Sequence, residues 1–181
     1  MLVGLGGYAQ SGKDTASQVL VSDGFVRVGF ADPMRKMLEA LNPLVLGPLR
    51  YVDVLEEFGY EASKEMFPEF RRLLQNLGTE AGREVLGENI WIDTALGSMA
   101  PGVDYVISDV RFPNEVEGIR NARGLSIWVE RPGVGPLNDH TSETSVGPDD
   151  FDEVIRNDGT LDDLAAAVRD TVGSWMFSSK W

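Results

Sequence analysis

An apolar run, "LVGLG" at residues 2 to 6, passes directly into "GYAQSGKDT" at 7 to 15. Gly7, four residues, Gly12 and Lys13 have the spacing of a phosphate-cradling loop, which works only between a buried strand and the first turn of a helix. The opening of the chain is thereby committed to a strand, a tight turn and a helix. Gly7 and Gly12 permit backbone conformations closed to larger residues, the amides from Ala9 through Ser11 to Thr15 can turn inward at an anion, and Lys13 adds a mobile positive charge. The next residue is Asp14, where such loops expect Ser or Thr. A carboxylate is a good magnesium ligand, directly or through water, and Thr15 can reach a phosphate oxygen from the same turn. The acid therefore makes nucleotide binding depend more on magnesium. The competing reading is a Gly-rich turn in which Asp14 is a helix-start acid and Lys13 a solvated charge.

Beyond the loop, strand-like and helix-like pieces alternate. Strands are expected at 2 to 6, 25 to 30, 103 to 110, 125 to 130 and 151 to 155, with helices at 12 to 22, after Pro33, from about 114 to 123 and from about 161 to 172. In the second helix Met34, Met37, Leu38 and Leu41 share one side. Pro43, Gly47 and Pro48 break the pattern between 42 and 50. Residues 51 to 99 read as several helices interrupted at Gly59, Pro68, Gly78 and Gly87. Five strands separated by helices imply a parallel sheet, and such a sheet binds ligands at the C-terminal ends of its strands. The turns near Gly6, Ala31, Asp109, Arg131 and Arg156 then fall on one rim. Trp91 and Trp128 are expected in the core.

Composition narrows the partners. In 181 residues, 43% apolar, one core and a single domain over 1–181 are expected. Lys and Arg number 16 against 29 Asp and Glu, a net charge of −13, which repels polyanions, so no nucleic-acid polymer is expected as a partner. Any phosphate ligand must be held locally. The absence of Cys removes thiolate catalysis and sulfur-bound metals. With no apolar run near the roughly 20 residues of a bilayer span, and no export signal at 1 to 20, no membrane contact and a cytoplasmic location are expected. The apolar groups of "WMFSSKW" at the end leave monomer and homodimer both open.

Guanidinium groups cluster near expected strand ends. In "SDVRFPNE" (108 to 115), Asp109 ends a buried strand where it can hold magnesium or its water shell, and Arg111 lies where it can clamp a phosphate; a helix cap and a pairing with Glu115 are the plainer alternatives. Arg35, Arg71, Arg72, Arg83 and Arg131 are further candidates for a second phosphate or a transferring phosphoryl group. Arg71 and Arg72 point in different directions on their helix, so at most one faces a site. Gln75 can reach a base or remain a surface amide. Arg131 opens the polar stretch 131 to 150, of a length that can close over phosphates and exclude water. His140, in "DHTSE", is the only His, which rules out a His-rich metal cluster; it organises the closing loop or bonds substrate. Asp139 and Glu143 are equally well solvated acids. The guanine-reading and terminal-phosphate-sensing segments of a GTPase switch do not appear.

Taken together, "GYAQSGKDT", "FADPMRK", "LLQNLGTEAGRE", "NIWIDTAL", "ISDVRFPNEVEGIR", "DHTSE" and "IRNDGTLDDL" resemble the deoxynucleoside monophosphate kinases of tailed bacteriophages, over about residues 4 to 168. The resemblance implies a three-layer α/β/α P-loop kinase fold with a five-stranded parallel sheet, a helical acceptor-binding region at about 33–100 and a short lid at about 131–147. It implies transfer of the γ-phosphoryl group of ATP, with Mg2+, to a deoxynucleoside monophosphate in the host-cell cytoplasm, supplying phage DNA precursors. Lys13, Asp14 and Thr15 are placed by it at the ATP phosphates and magnesium, and Asn157, Gly159 and Thr160 beside the adenine. Asp32, Arg35, Lys36, Gln75, Thr79, Arg83 and Arg111 fall to the acceptor, and His140 and Glu143 to the lid and substrate. Residues 42 to 66 match nothing in the family. Two other classes compete: a P-loop kinase for a non-nucleotide phosphorylated metabolite, such as phosphomevalonate or dephospho-coenzyme A, and an ATP-binding regulatory protein without turnover.

Overall fold

A computed structural model of the chain describes residues 1–136 and 144–178. Along it run β1 (Leu2–Gly6), α1 (Lys13–Ser22) and β2 (Val26–Val28). Next come α2 (Asp32–Leu41), β3 (Leu44–Leu46), β4 (Leu49–Arg50), α3 (Tyr51–Phe58), α4 (Tyr60–Met66) and α5 (Pro68–Gln75). A π-helical stretch (Asn76–Arg83), a short α6 (Glu84–Leu86) and α7 (Ile90–Gly97) complete the helical region. The chain then returns as β5 (Tyr105–Val110), α8 (Pro113–Asn121), β6 (Leu125–Glu130), β7 (Glu153–Arg156) and α9 (Leu161–Ser178). Two compact units result: Met1–Phe30 with the described residues from Ser98 onward, and Ala31–Gly97.

The first unit is built on a sheet ordered β2-β5-β1-β6-β7, every neighbouring pair parallel. The expected strands are all present. β1 lies in the middle, buried throughout, and its alternation divides the layers. Val3 and Leu5 enter a core with Ala16 and Leu20 of α1 and Leu164, Val168 and Val172 of α9. On the opposite face Gly4 meets α8, where a β-carbon would stand 2.1 Å from the Cδ1 of Ile119. Helices thus cover both faces, the arrangement a parallel sheet requires.

Asp152 ties the edge of this sheet down. It accepts from the amide and hydroxyl of Ser126 on β6 (2.9 and 2.6 Å) and from Arg120 of α8 (2.7 Å). Burial pushes its carboxyl up, but the Ser126 donors and the Arg120 guanidinium outweigh that and hold it below the usual carboxylate range. α9 runs past the expected end near 172 because Trp175, one turn beyond Val172, continues the stripe packed on the core.

The Ala31–Gly97 unit has its own core, made by Met34, Leu38, Val45, Tyr51, Val54, Phe67, Phe70, Leu74 and Trp91. Tyr51 stacks on Phe70 with ring centroids 4.3 Å apart. Three expectations are corrected here. Of the four apolar residues expected on one side of α2, only Met34 and Leu38 are buried, while Met37 and Leu41 are 42% and 67% exposed; the small core covers an i, i+4 ridge and no more. Residues 42 to 50 form an antiparallel hairpin, with Gly47 in the left-handed region at its turn and Val45 inward between exposed Leu44 and Leu46. Gly78 does not interrupt the helix. The backbone winds on through Asn76–Arg83 in wider π turns, the Glu84 amide reaching back five residues to the Thr79 carbonyl. The Trp91 indole N–H donates to the Gly78 carbonyl at 2.8 Å, and its ring lies where a β-carbon on Gly82 would come within 2.4 Å. Trp91 and Trp128 are both buried, as expected.

Candidate active site

The loop between β1 and α1 is shaped by three residues in the left-handed region or beyond it: Gly7 (φ 146°), Gln10 (φ 65°) and Gly12 (φ 102°). A β-carbon at Gly7 would meet both the Ser11 hydroxyl and the Val129 carbonyl at 2.6 Å. The Ser11 amide donates to the Tyr8 carbonyl at 3.1 Å, and Lys13 Nζ reaches that same oxygen at 3.3 Å. Gly12 is the N-cap of α1 and offers no side-chain cap. The first-turn amides of a helix have no intrahelical acceptor, and here they carry the positive end of the dipole into the loop. Ser11 is 1% exposed, and its hydroxyl has no partner among the described residues. A buried donor beside uncapped amides is the chemistry of an anion seat, so the residues fit a phosphate group.

Of the acids expected at the metal, Asp14 is exposed in the first turn of α1 beside Thr15. Asp109 lies near the end of β5, the strand paired with β1, and its carboxylate accepts the Phe30 amide at 2.9 Å. The described residues contain no group of three acidic or His side chains able to hold a metal unaided. Magnesium commonly takes one or two carboxylates and completes its shell with water and phosphate oxygens. The donor set fits that mode.

The rim carries the other candidates. Arg111 follows β5 directly, and its amide donates at 2.7 Å to Glu115, which also accepts from the Phe112 amide at 3.1 Å. Glu115 is 3% exposed and braces this turn; the acid at the third position of α8 was the available signal for it. Arg131 follows β6 and is exposed. Asn157 follows β7. Its amide group donates 2.8 Å to the Ser11 carbonyl of the phosphate loop. Gly159 packs against Asp163, which accepts from the amide and hydroxyl of Thr160 at 2.8 and 2.7 Å and is thereby held below the usual carboxylate range. The Thr160 hydroxyl in turn accepts the Asp163 amide at 3.2 Å and so caps α9.

In the Ala31–Gly97 unit, Arg35 ion-pairs with Asp32 at 3.4 Å and lies 4.2 Å above the Tyr60 ring, where Lys64 also approaches at 5.0 Å. Nothing in the sequence reading flagged Tyr60. Lys36 is exposed one residue further on. Arg72 makes a two-pronged bond to Glu69 at 2.7 and 2.6 Å, while Arg71 is exposed. Gln75 ends α5, and Thr79 and Arg83 belong to the π-helical stretch. Winding of that kind recurs at functional positions. His140 and Glu143, with Asp139, lie outside the described residues.

A five-stranded parallel sheet with a glycine-bounded loop between its middle strand and an uncapped helix is an α/β P-loop kinase fold. The family model for deoxynucleotide monophosphate kinase matches residues 51–168. The chain is 28% identical, over 93% of its length and 94% of the relative's, to a protein of Acanthamoeba polyphaga mimivirus provisionally given that kinase name. It is also 28% identical to the deoxynucleoside-5'-monophosphate kinase of Escherichia phage T5, over 81% of this chain and 85% of that one. With the deoxynucleotide monophosphate kinase of Enterobacteria phage T4 it shares 31% identity over 56% of this chain and 44% of that one. The chain belongs to the deoxynucleotide monophosphate kinase family.

Proposed function

We propose that this chain transfers the γ-phosphoryl group of ATP to the phosphate of a deoxynucleoside monophosphate, giving ADP and a deoxynucleoside diphosphate. The observation that carries the reading is the loop at 7–15, with its uncapped first turn and buried Ser11 hydroxyl, in a chain of a family named for this activity. An acceptor phosphate is already anionic near neutral pH, so the protein supplies orientation and charge stabilisation rather than deprotonation. An acceptor oxygen attacks the γ-phosphorus in line as the bond to the β–γ bridging oxygen breaks.

In this reading Lys13 and the loop amides draw charge from the β and γ oxygens, and Arg111 and Arg131 hold the acceptor and the transferring group. Asp14, Thr15 and Asp109 would hold Mg2+, which neutralises triphosphate charge when bound. Asp32, Arg35, Lys36, Arg71, Gln75, Thr79 and Arg83 recognise the acceptor. Arg72 is the weakest candidate because Glu69 already holds it. Residues 131–147 act as the lid that keeps water from the γ-phosphorus.

The test is a coupled assay of ADP release across the common deoxynucleoside monophosphates, with phosphomevalonate and dephospho-coenzyme A as controls. Release with at least one deoxynucleotide and with neither control is expected. Release with a control alone, or with no acceptor at all, would overturn the assignment.

A further inference from the structure

Asn157 stands 146 residues from Ser11 in the sequence, yet its amide group donates to the Ser11 carbonyl at 2.8 Å. The contact is close enough to restrict the neighbouring residue: a β-carbon on Gly12 would lie 2.3 Å from the Asn157 Nδ2. Asn157 is itself held from behind. Its backbone amide donates to the Glu130 carbonyl at 2.7 Å, fastening the end of β7 to the end of β6. The turn after it is stiffened by the Arg156–Asp158 ion pair at 2.9 Å and by the Thr160–Asp163 cap.

The consequence follows from peptide geometry. A trans peptide is planar, with its carbonyl and the following N–H pointing in opposite directions. Fixing the Ser11 carbonyl toward Asn157 therefore aims the Gly12 N–H away from Asn157. Gly12 is the helix N-cap in a left-handed conformation, and only the plane of the Ser11–Gly12 peptide decides where that amide points. Without Asn157 the plane can rotate, and the loop must be ordered anew each time it takes an anion.

We propose that Asn157 is a positioning residue for the phosphates of ATP, acting through the Ser11–Gly12 peptide. The inference rests on the reading that the 7–15 loop holds ATP. It couples the C-terminal segment of the chain to the phosphate loop. A mutation in that segment then reaches the triphosphate without touching it.

Titration calorimetry on the full chain with MgATP, and separately with the best deoxynucleoside monophosphate, tests this in wild type, Asn157→Ala and Asn157→Asp. Loss of one such hydrogen bond corresponds to about a tenfold rise in the ATP Kd for Asn157→Ala. Asn157→Asp, equal in size, should raise it further, because a carboxylate repels both the Ser11 carbonyl and the phosphates. The acceptor Kd should stay within about twofold of wild type, a split that a general loss of structure would not produce. An unchanged ATP Kd in both variants, a parallel rise in both Kd values, or failure of both variants to fold would overturn the proposal. Wild type that binds ATP but phosphorylates no deoxynucleotide would sink the substrate reading and leave this one standing; wild type that does not bind ATP would sink both.

Discussion

Three buried hydroxyls have no partner among the described residues, Ser11 and Ser17 in the first unit and Tyr51 in the second, and the surroundings of Ser11 and Tyr51 give those two opposite meanings. Ser11 lies against Gly7, just before an uncapped helix N-terminus. Tyr51 is fully buried in an aromatic core, stacked on Phe70. An unpaired polar atom among oriented backbone donors is a seat awaiting an acceptor, whereas one among rings is a desolvated group with nothing to gain. The same contrast runs through the charged residues. In the first unit the candidate phosphate loop offers backbone amides, which the fold holds in place, beside the candidate cations Lys13, Arg111 and Arg131. The candidate groups of the second are guanidinium side chains, of which Arg35 leans on Asp32 and Tyr60 and Arg72 on Glu69. Backbone sites are set once the loop is built; side-chain sites can be reassigned.

Substitutions separate the two regimes. The largest effect is expected for Lys13→Ala, which removes the loop's mobile charge: turnover should fall roughly 100- to 1,000-fold, with the melting temperature nearly unchanged, since the bond to the Tyr8 carbonyl at 3.3 Å is long. Normal turnover in that variant would remove the loop from the chemistry. Next comes a pair in the helical unit. Arg83→Ala should raise the KM for the acceptor by about 10- to 100-fold, the range of a lost charged hydrogen bond. Arg72→Ala should change it little, because Glu69 already engages that guanidinium. Equal effects at the two positions would show that the Arg72–Glu69 pair opens for the substrate.

Two stability changes follow. Gly82→Ala drives a methyl toward the Trp91 ring and the Leu77 carbonyl, at 2.4 and 2.7 Å. The expected loss is about 1–3 kcal/mol, the usual range for overpacking, read as a lower denaturation midpoint; an unchanged midpoint would mean that the π-helical stretch relaxes freely. Asp152→Ala leaves the buried Ser126 amide and hydroxyl without their acceptor, for about 1–3 kcal/mol at neutral pH. Because the folded-state pKa of Asp152 is depressed, its contribution is present above the unfolded value near pH 4 and is lost as pH falls through the folded value. Wild type and variant should therefore converge in acid. Parallel acid limbs would contradict the assigned network.

What the sequence made legible follows the same division. The parallel sheet and the loop could be read because each depends on local signals: continuous apolar runs for strands buried on both faces, and glycines where φ must be positive. Asn157 was flagged through family likeness, but its contact with Ser11 could not be read, since 146 residues separate the two and no local pattern encodes the meeting. In the helical unit the aromatic core came from several short helices whose order in space no periodicity reveals. Gly78 misled because glycine normally weakens a helix; here Trp91, thirteen residues on, bonds its carbonyl. The hairpin at Leu44–Arg50 was hidden by the brevity of its strands, three and two residues long.

Tyr51→Phe carries the smallest expected effect and bears most directly on the contrast between the two hydroxyls. Removing a buried oxygen that has no hydrogen-bond partner among the described residues should leave stability unchanged or raise it by up to about 1 kcal/mol, with the Phe70 stack kept. The alkaline limb gives a second reading. Burial, with smaller contributions from Tyr60 and Glu39, outweighs the opposing Arg35 guanidinium and pushes the Tyr51 hydroxyl up to about 12. Its folded-state pKa thus lies above the unfolded value near 10, so the protonated phenol favours the folded state less and less as pH climbs from 10 toward 12. Wild type should lose stability over that interval, and Tyr51→Phe should lose less of it, by chemical denaturation at stepped pH. If the variant were instead destabilised at neutral pH, or if it weakened acceptor binding, the Tyr51 hydroxyl would belong with that of Ser11, as a second seat built for a ligand.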